Sequence, residues 1–195
     1  MKKVDLLLVN PGNRMEQFAS LNTLATVAPP LGIAMVGAYA RQEGIRVAVI
    51  DAEAEFWTPD MTIEAIKEYD PLIVGLSAFT TKMHAAEQIM KLVKEWRPDV
   101  YTLIGGHHSS AIPEETARTW YIDYVLAGEG YESIVSLVRE LKDGNTNPSI
   151  EGIWYDEGDV IHKAGMASYT RDIDSLPYPA WDLLPMDKYR AHHWQ

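Results

Sequence analysis

A chain of 195 residues, 47% of them hydrophobic, has room for one domain of ordinary size, or one domain with an appendage, and would bury roughly 70% of the surface it exposes when unfolded. Its formal net charge of -11 disfavours nucleic acid and anionic membrane surfaces as partners, since both attract basic patches, and no Lys/Arg cluster opposes this. There is no cysteine, which excludes disulfides, thiolate metal sites and any iron-sulfur cluster held by this chain itself.

Lys2 and Lys3 precede an apolar run, but Asp5 interrupts it and Asn10-Pro11-Gly12 ends it, so a signal peptide is not expected. The most lipid-like segment, Leu24 to Ala40, contains Pro29-Pro30 and leaves about eleven residues before Arg41, too few to span a bilayer. A cytoplasmic protein is expected. Val4 to Val9 reads as a strand covered on both faces. Residues 10 to 28 follow as a long loop, a length that inside compact domains often signals function. A helix then runs from Pro30 to about Glu43, with Leu31, Met35, Ala38 and Tyr39 on one face and Gly32 and Gly37 permitting close approach to a sheet.

Arg46 to Ile50 is the second strand, with Asp51 at its end. Thr58 is placed to cap a helix near Asp60 to Tyr69, with Pro59 at its first position. Leu72 to Leu76 is the third strand, and Met83, Ala86, Ile89, Met90, Val93 and Trp96 then make a helical stripe. Val100 to Ile104 is the fourth strand, followed by a short helix at Pro113-Glu114-Glu115. Tyr124 to Ala127 is the fifth, followed by a helix from Tyr131 to Lys142 with Ile134, Leu137, Val138 and Leu141 inward. Strands alternating with helices over short connections predict an α/β fold with a doubly wound, mostly parallel five-stranded sheet, Rossmann-like or flavodoxin-like. Ile150 to Tyr155 and Val160 to Lys163 read as a β-hairpin, and the proline-bearing remainder as an extended connector. The chain thus divides into residues 1–148, a ligand-binding domain, and 149–195, hairpin and connector.

In an open parallel sheet, ligands bind outside the carboxyl ends of the strands. The residues placed there are Asn10, Pro11 and Gly12; Ser77, Ala78, Phe79 and Thr80; Gly105, Gly106, His107 and His108; and Gly128, Glu129 and Gly130. Gly105-Gly106 suits either a tight strand exit or close backbone approach to a flat ligand. Gly128-Glu129-Gly130-Tyr131-Glu132-Ser133 matches a dinucleotide fingerprint only in part, because Ser133 replaces its third glycine. Ser77 fails as a hydrolase nucleophile, since Phe79 stands where the sharp elbow needs glycine. A phosphoacceptor receiver needs an Asp where Ser77 stands. His107 and His108 are adjacent, so their side chains diverge and no single metal is expected to hold both. His84 reads as solvated, and Asp51, Glu53 and Glu55 as a solvated loop.

The ordered set Val9-Asn10-Pro11-Gly12, Pro29-Pro30-Leu31-Gly32, Gly75-Leu76-Ser77, Gly105-Gly106-His107-His108-Ser109, Pro113-Glu114-Glu115, Asp123-Tyr124-Val125 and Gly128-Glu129-Gly130 resembles the N-terminal cobalamin-binding domain of cobalamin-dependent radical S-adenosylmethionine enzymes. Asp172 to Asp182 resembles that family's passage into its radical domain. The resemblance implies cobalamin as cofactor, held by Leu31 and the strand-end residues Asn10, Pro11, Gly12, Ser77, Ala78, Phe79, Thr80, Gly105, Gly106, His107, His108, Gly128, Glu129 and Gly130. It also implies a small-residue slot for the nucleotide tail beside Ser77-Ala78-Phe79, where Phe79 replaces the leucine of a Ser-x-Leu element, and beside Gly105-Gly106. A valine at Gly106 is then expected to fill that slot and leave the fold intact.

Two departures matter. Methionine-synthase-type domains carry Asp-x-His-x-x-Gly after the first strand, where this sequence reads Asn10-Pro11-Gly12-Asn13-Arg14, so the resemblance implies base-off cobalamin with no histidine beneath the metal. The Cys-x-x-x-Cys-x-x-Cys motif is missing, so S-adenosylmethionine and an iron-sulfur cluster would belong only to a full-length parent. In that parent a radical S-adenosylmethionine domain in cis is the expected partner, serving methyl transfer or cyclase-type chemistry, and this chain alone is not expected to be catalytic. The chain reads as an excised module. The alternative reading is a flavodoxin-like small-molecule or protein-interaction domain without corrin.

Overall fold

The structure is a computed structural model that describes residues 1–12, 26–158 and 160–190. Among these, seven strands form one sheet in the order β2-β1-β3-β4-β5-β6-β7. The strands are β1 (Lys2–Asn10), β2 (Val47–Asp51), β3 (Tyr69–Ser77), β4 (Tyr101–Gly105), β5 (Tyr124–Leu126), β6 (Ile153–Asp156) and β7 (Ile161–His162). β1 to β5 pair in parallel, and the hairpin β6–β7 extends the same sheet antiparallel to β5. The hairpin expected from the sequence is therefore a continuation of the sheet.

The helices are α1 (Leu31–Gln42), α2 (Pro59–Ile66), α3 (Met83–Trp96), α4 (His107–Ala111), α5 (Pro113–Ala117) and α6 (Tyr131–Lys142). Leu6 to Val9 of β1 are all apolar because both faces of the strand are covered, and their side chains divide with the period of two that a strand imposes. Leu7 and Val9 join Val74, Leu76 and Ile104 beneath α2 and α3, while Leu6 and Leu8 join Ile73 and Leu103 beneath α1 and α6. Two cores on opposite faces make the sheet doubly wound. The chain leaves β1 for β2 on one side and reaches β3 on the other, which puts the topological switch point at the carboxyl end of β1.

The stripe of α3 is buried at Met83, Ala86, Ile89, Met90 and Val93, as its 3.6-residue period predicts. Thr58 caps α2, its hydroxyl oxygen accepting a hydrogen bond from the Met61 N–H at 3.3 Å, with Pro59 at the first position. α1 differs from expectation. Its buried residues are Ile33, Ala34, Gly37, Ala38 and Ala40, so Leu31 is not a core residue and Tyr39 is only half-buried. Gly37 does approach the sheet, 3.6 Å from a Leu8 methyl once a Cβ is placed on it, whereas such an atom on Gly32 meets open space.

Asp5, the one charge inside the β1 run, is 3% exposed and held by Arg46, whose Nη2 and Nε lie 2.6 and 3.0 Å from its two oxygens. The Arg46 backbone N–H and Lys142 add to this, so the charge is compensated where it is buried.

Beyond the hairpin, the expected connector doubles back over the domain. Ala167 pairs with Gly128 beside β5, the Ala180 N–H donates to the Ala34 carbonyl on α1, and Arg190 exchanges two backbone hydrogen bonds of 2.9 Å with Val27. Asp182 meets the Arg41 guanidinium through two bonds of 2.6 and 3.0 Å. Three short 3-10 turns, each of three residues, supply its bends. Of the long loop after β1, residues 13–25 lie outside the described residues, as do His192 and His193.

Candidate functional site

The parallel register sets the ends of the first five strands along one edge. Asn10 stands opposite Asp51, Val9 opposite Leu76, and Ser77 opposite Gly105. Each strand exits there into a turn, so the sequence-predicted residues at the ends of β1, β3, β4 and β5 share this edge.

The exits of β3, β4 and β5 are stitched together. The Ala78 N–H donates to the Gly105 carbonyl at 3.1 Å, and the His108 N–H to the Ala78 carbonyl at a long 3.4 Å. Ser109 is fully buried, its hydroxyl donating to the Gly106 carbonyl at 3.1 Å. The Gly128 N–H donates to the Ser110 hydroxyl oxygen at 3.1 Å, which joins β5 to the β4 exit. Gly106 has φ +101° and ψ -171°, a region open essentially to glycine alone. A Cβ on it would lie 2.9 Å from the Ala78 carbonyl oxygen and 3.0 Å from the Ala78 nitrogen. This corrects the expectation for valine at 106: the space beside Gly106 is filled by the backbone of the β3 exit, so a side chain there strains the fold itself.

Outside this stitched floor the side chains turn to solvent. Phe79 is 57% exposed, and the His107 ring lies flat on it. His108 Nδ1 is 3.1 Å from the Thr80 hydroxyl, so the two histidines diverge as their adjacency predicts. Leu31, 55% exposed, opens α1 at the same end of the sheet. Glu129 faces the returning chain, its carboxylate accepting from the Thr170 N–H at 2.8 Å, and Gly130 leads into α6. His84 is exposed and bonded to Gln88, as expected.

The exit of β1 is different. Asn10, Pro11 and Gly12 are buried, and Asp51 is 3% exposed, which overturns the reading of Asp51 as part of a solvated loop. Its Oδ1 accepts from Asn10 Nδ2 at 2.7 Å and from the Ala54 N–H at 3.1 Å, and its Oδ2 accepts from the Tyr189 hydroxyl at 2.7 Å. Lys82 Nζ donates to Asn10 Oδ1 at 3.2 Å and lies 3.7 Å from Glu53, whose side chain is also mostly buried. Asp51, Glu53, Lys82 and Tyr189 thus form a polar cluster at the switch point that sequence reasoning missed. An acid closing a strand was the available signal for Asp51. Nothing in the sequence linked it to Tyr189, 138 residues away.

Among the described residues, no helix is long and apolar enough to cross a membrane. The chain is 35% identical over 192 residues, 98% of its length, to an uncharacterized methyltransferase of Pyrococcus horikoshii, PH0819. It is 28% identical over 166 residues, 83% of its length, to the anaerobic magnesium-protoporphyrin IX monomethyl ester cyclase of Cereibacter sphaeroides. It spans only 41% and 27% of those two relatives. In fold it matches the cobalamin-dependent S-adenosylmethionine radical enzyme OxsB, solved with aqua-cobalamin and S-adenosylmethionine bound. That match has a TM-score of 0.75 at 22% identity, over 92% of this chain and 24% of that one. The family model for the B12 binding domain matches residues 19–138, which takes in the exits of β2 to β5, and the chain belongs to the B12-binding domain family.

Proposed function

We propose that this chain binds cobalamin at the carboxyl edge of its parallel sheet and serves as the cofactor-carrying module of a longer radical S-adenosylmethionine enzyme. The observation that carries the reading is the row of small residues, Ser77, Ala78, Gly105, Gly106 and Gly128, at three neighbouring strand exits in a chain of the B12-binding family. The residues present fit the group. Exposed Leu31 and Phe79 offer apolar surface to a flat corrin, and Thr80, His107 and His108 offer polar groups to the carboxamides on its periphery. Its nucleotide tail would have to part Ala78 from Gly106, and the bond across that contact, from His108 to Ala78, is long at 3.4 Å.

When bound, the corrin supplies a cobalt centre able to carry a methyl group. The chain's own residues hold and orient it, and exclude water from the face turned to the sheet. None of the six histidines precedes residue 84, so no imidazole from the β1 exit is available below the metal. Base-off binding without a histidine ligand is part of the same proposal. The S-adenosylmethionine and iron-sulfur sites lie, in this reading, in a radical domain of the same protein, for which relatives two to four times this chain's length leave room. Methyl transfer or cyclase-type chemistry belongs to that whole enzyme. A cytoplasmic setting, without nucleic-acid or membrane partners, is part of the same proposal and agrees with the net charge of -11.

Equilibrium dialysis against hydroxocobalamin and against dicyanocobinamide, which lacks the nucleotide tail, tests the reading. Tighter retention of hydroxocobalamin is the expected result. Equal retention would remove the tail from the strand exits, and no retention of either would remove the corrin.

A further inference from the structure

Resting on that reading, we propose that Tyr189 is a positioning residue for the cobalamin site, setting Asn10, and through it Lys82, by way of the Asp51 carboxylate. The four groups form one chain of hydrogen bonds that converges on the Asp51 carboxylate. The Tyr189 hydroxyl donates to Asp51 Oδ2 at 2.7 Å, and Asp51 Oδ1 accepts from Asn10 Nδ2 at 2.7 Å. With its amide nitrogen committed to Asp51, Asn10 turns its oxygen the other way, where it accepts from Lys82 Nζ at 3.2 Å. Glu53 flanks the same ammonium at 3.7 Å. An ammonium borne on the β3 exit is therefore held across the end of β1, at the switch point where open parallel sheets take their ligands.

The Tyr189 end of this chain is fixed by its neighbours. Lys188 reaches Glu55 at 3.5 Å, the Arg190 guanidinium lies 5.9 Å from the centre of the Phe56 ring, and the Arg190 backbone pairs with Val27. Phe56 has φ +58°, the only positive φ outside glycine among the described residues, so the turn that receives the segment is held in a costly conformation. Burial, and then the adjoining Asp51 carboxylate, push the Tyr189 phenol up from its ordinary range, which keeps it protonated and donating.

Removing the phenol oxygen leaves Asp51 Oδ2 buried without its side-chain donor. The carboxylate is then free to turn, the Asn10 amide loses the partner that sets its orientation, and Lys82 loses its acceptor on β1. Corrins carry carboxamide groups around the ring, and an oriented amide and ammonium recognise such groups only when their geometry is held.

The test is a double-mutant cycle on hydroxocobalamin affinity in the 195-residue chain, with wild type, Tyr189→Phe, Asn10→Ala and the double variant, each checked for folding by thermal melting. Tyr189→Phe is expected to raise Kd about tenfold, and to have no further effect in the Asn10→Ala background. Additive losses, or an unchanged Kd with a lowered Tm, would show that Tyr189 merely fastens the segment down, and would overturn the proposal. Failure of wild type to bind would instead overturn the cobalamin reading itself, and the role of Tyr189 with it. Should Tyr189→Phe not fold, Lys82→Met probes the other end: it must raise Kd alone and not in the Asn10→Ala background, and an additive loss overturns the proposal.

Discussion

The imidazole of His107 lies flat on the ring of Phe79, with centroids 4.6 Å apart and planes 15° from parallel. The stack bridges the exits of β3 and β4 on the solvent side of the stitched floor, so Phe79 offers apolar area to a ligand while contributing little to either core. Phe79→Ala is expected to weaken hydroxocobalamin binding by about tenfold, the scale of burying one large side chain. Stability should change by less than about 1 kcal/mol. Dialysis and thermal melting of the same preparations separate the two.

Gly106 joins a φ of +101° to contact with the Ala78 backbone, whereas Gly144, at φ +85°, has nothing within 4 Å of an added Cβ. Gly144→Ala therefore costs only the backbone strain, about 1 kcal/mol, and Gly106→Ala costs that plus displacement of the β3 exit, about 2–4 kcal/mol in all. Denaturant unfolding of the two variants checks the order. Equal losses would show that the β3 exit yields freely.

Asp5 gives the chain an acid-sensitive contact. The Arg46 guanidinium beside it, against the opposing effect of burial, holds its carboxyl at about 2 instead of the ordinary 3.8. A carboxyl more acidic when folded than when unfolded stabilises the fold above about pH 4, and that contribution is lost as pH falls from there towards 2. Its size is on the order of 2 kcal/mol. Asp5→Asn should thus lower stability at pH 7 by roughly that amount, and the gap from wild type should close by pH 2, as followed by urea unfolding at stepped pH.

The strand and helix order was legible because each element carries its own period. β1 has no polar alternation since two layers cover it, and α3 and α6 show apolar stripes that match their buried faces. α1 was harder, because its apolar residues run nearly all round and Leu31 therefore looked like core, although it stands exposed where the helix begins. At the site, the glycines and hydroxyls of the β3, β4 and β5 exits could be placed on one edge from topology alone. The cluster at the β1 exit could not. Its members come from β1, the end of β2 and the turn after it, the turn after β3 and the returning C-terminal segment, and only tertiary pairing brings Tyr189 to Asp51.

The most direct measurement is the visible spectrum of the purified chain after incubation with hydroxocobalamin and removal of free cofactor by desalting. A retained, stoichiometric chromophore with a base-off spectrum and no sign of nitrogen ligation beneath the cobalt is the expected result. A colourless protein would contradict cobalamin binding by this chain. A retained chromophore with a nitrogen-ligated spectrum would contradict the arrangement given for the lower face.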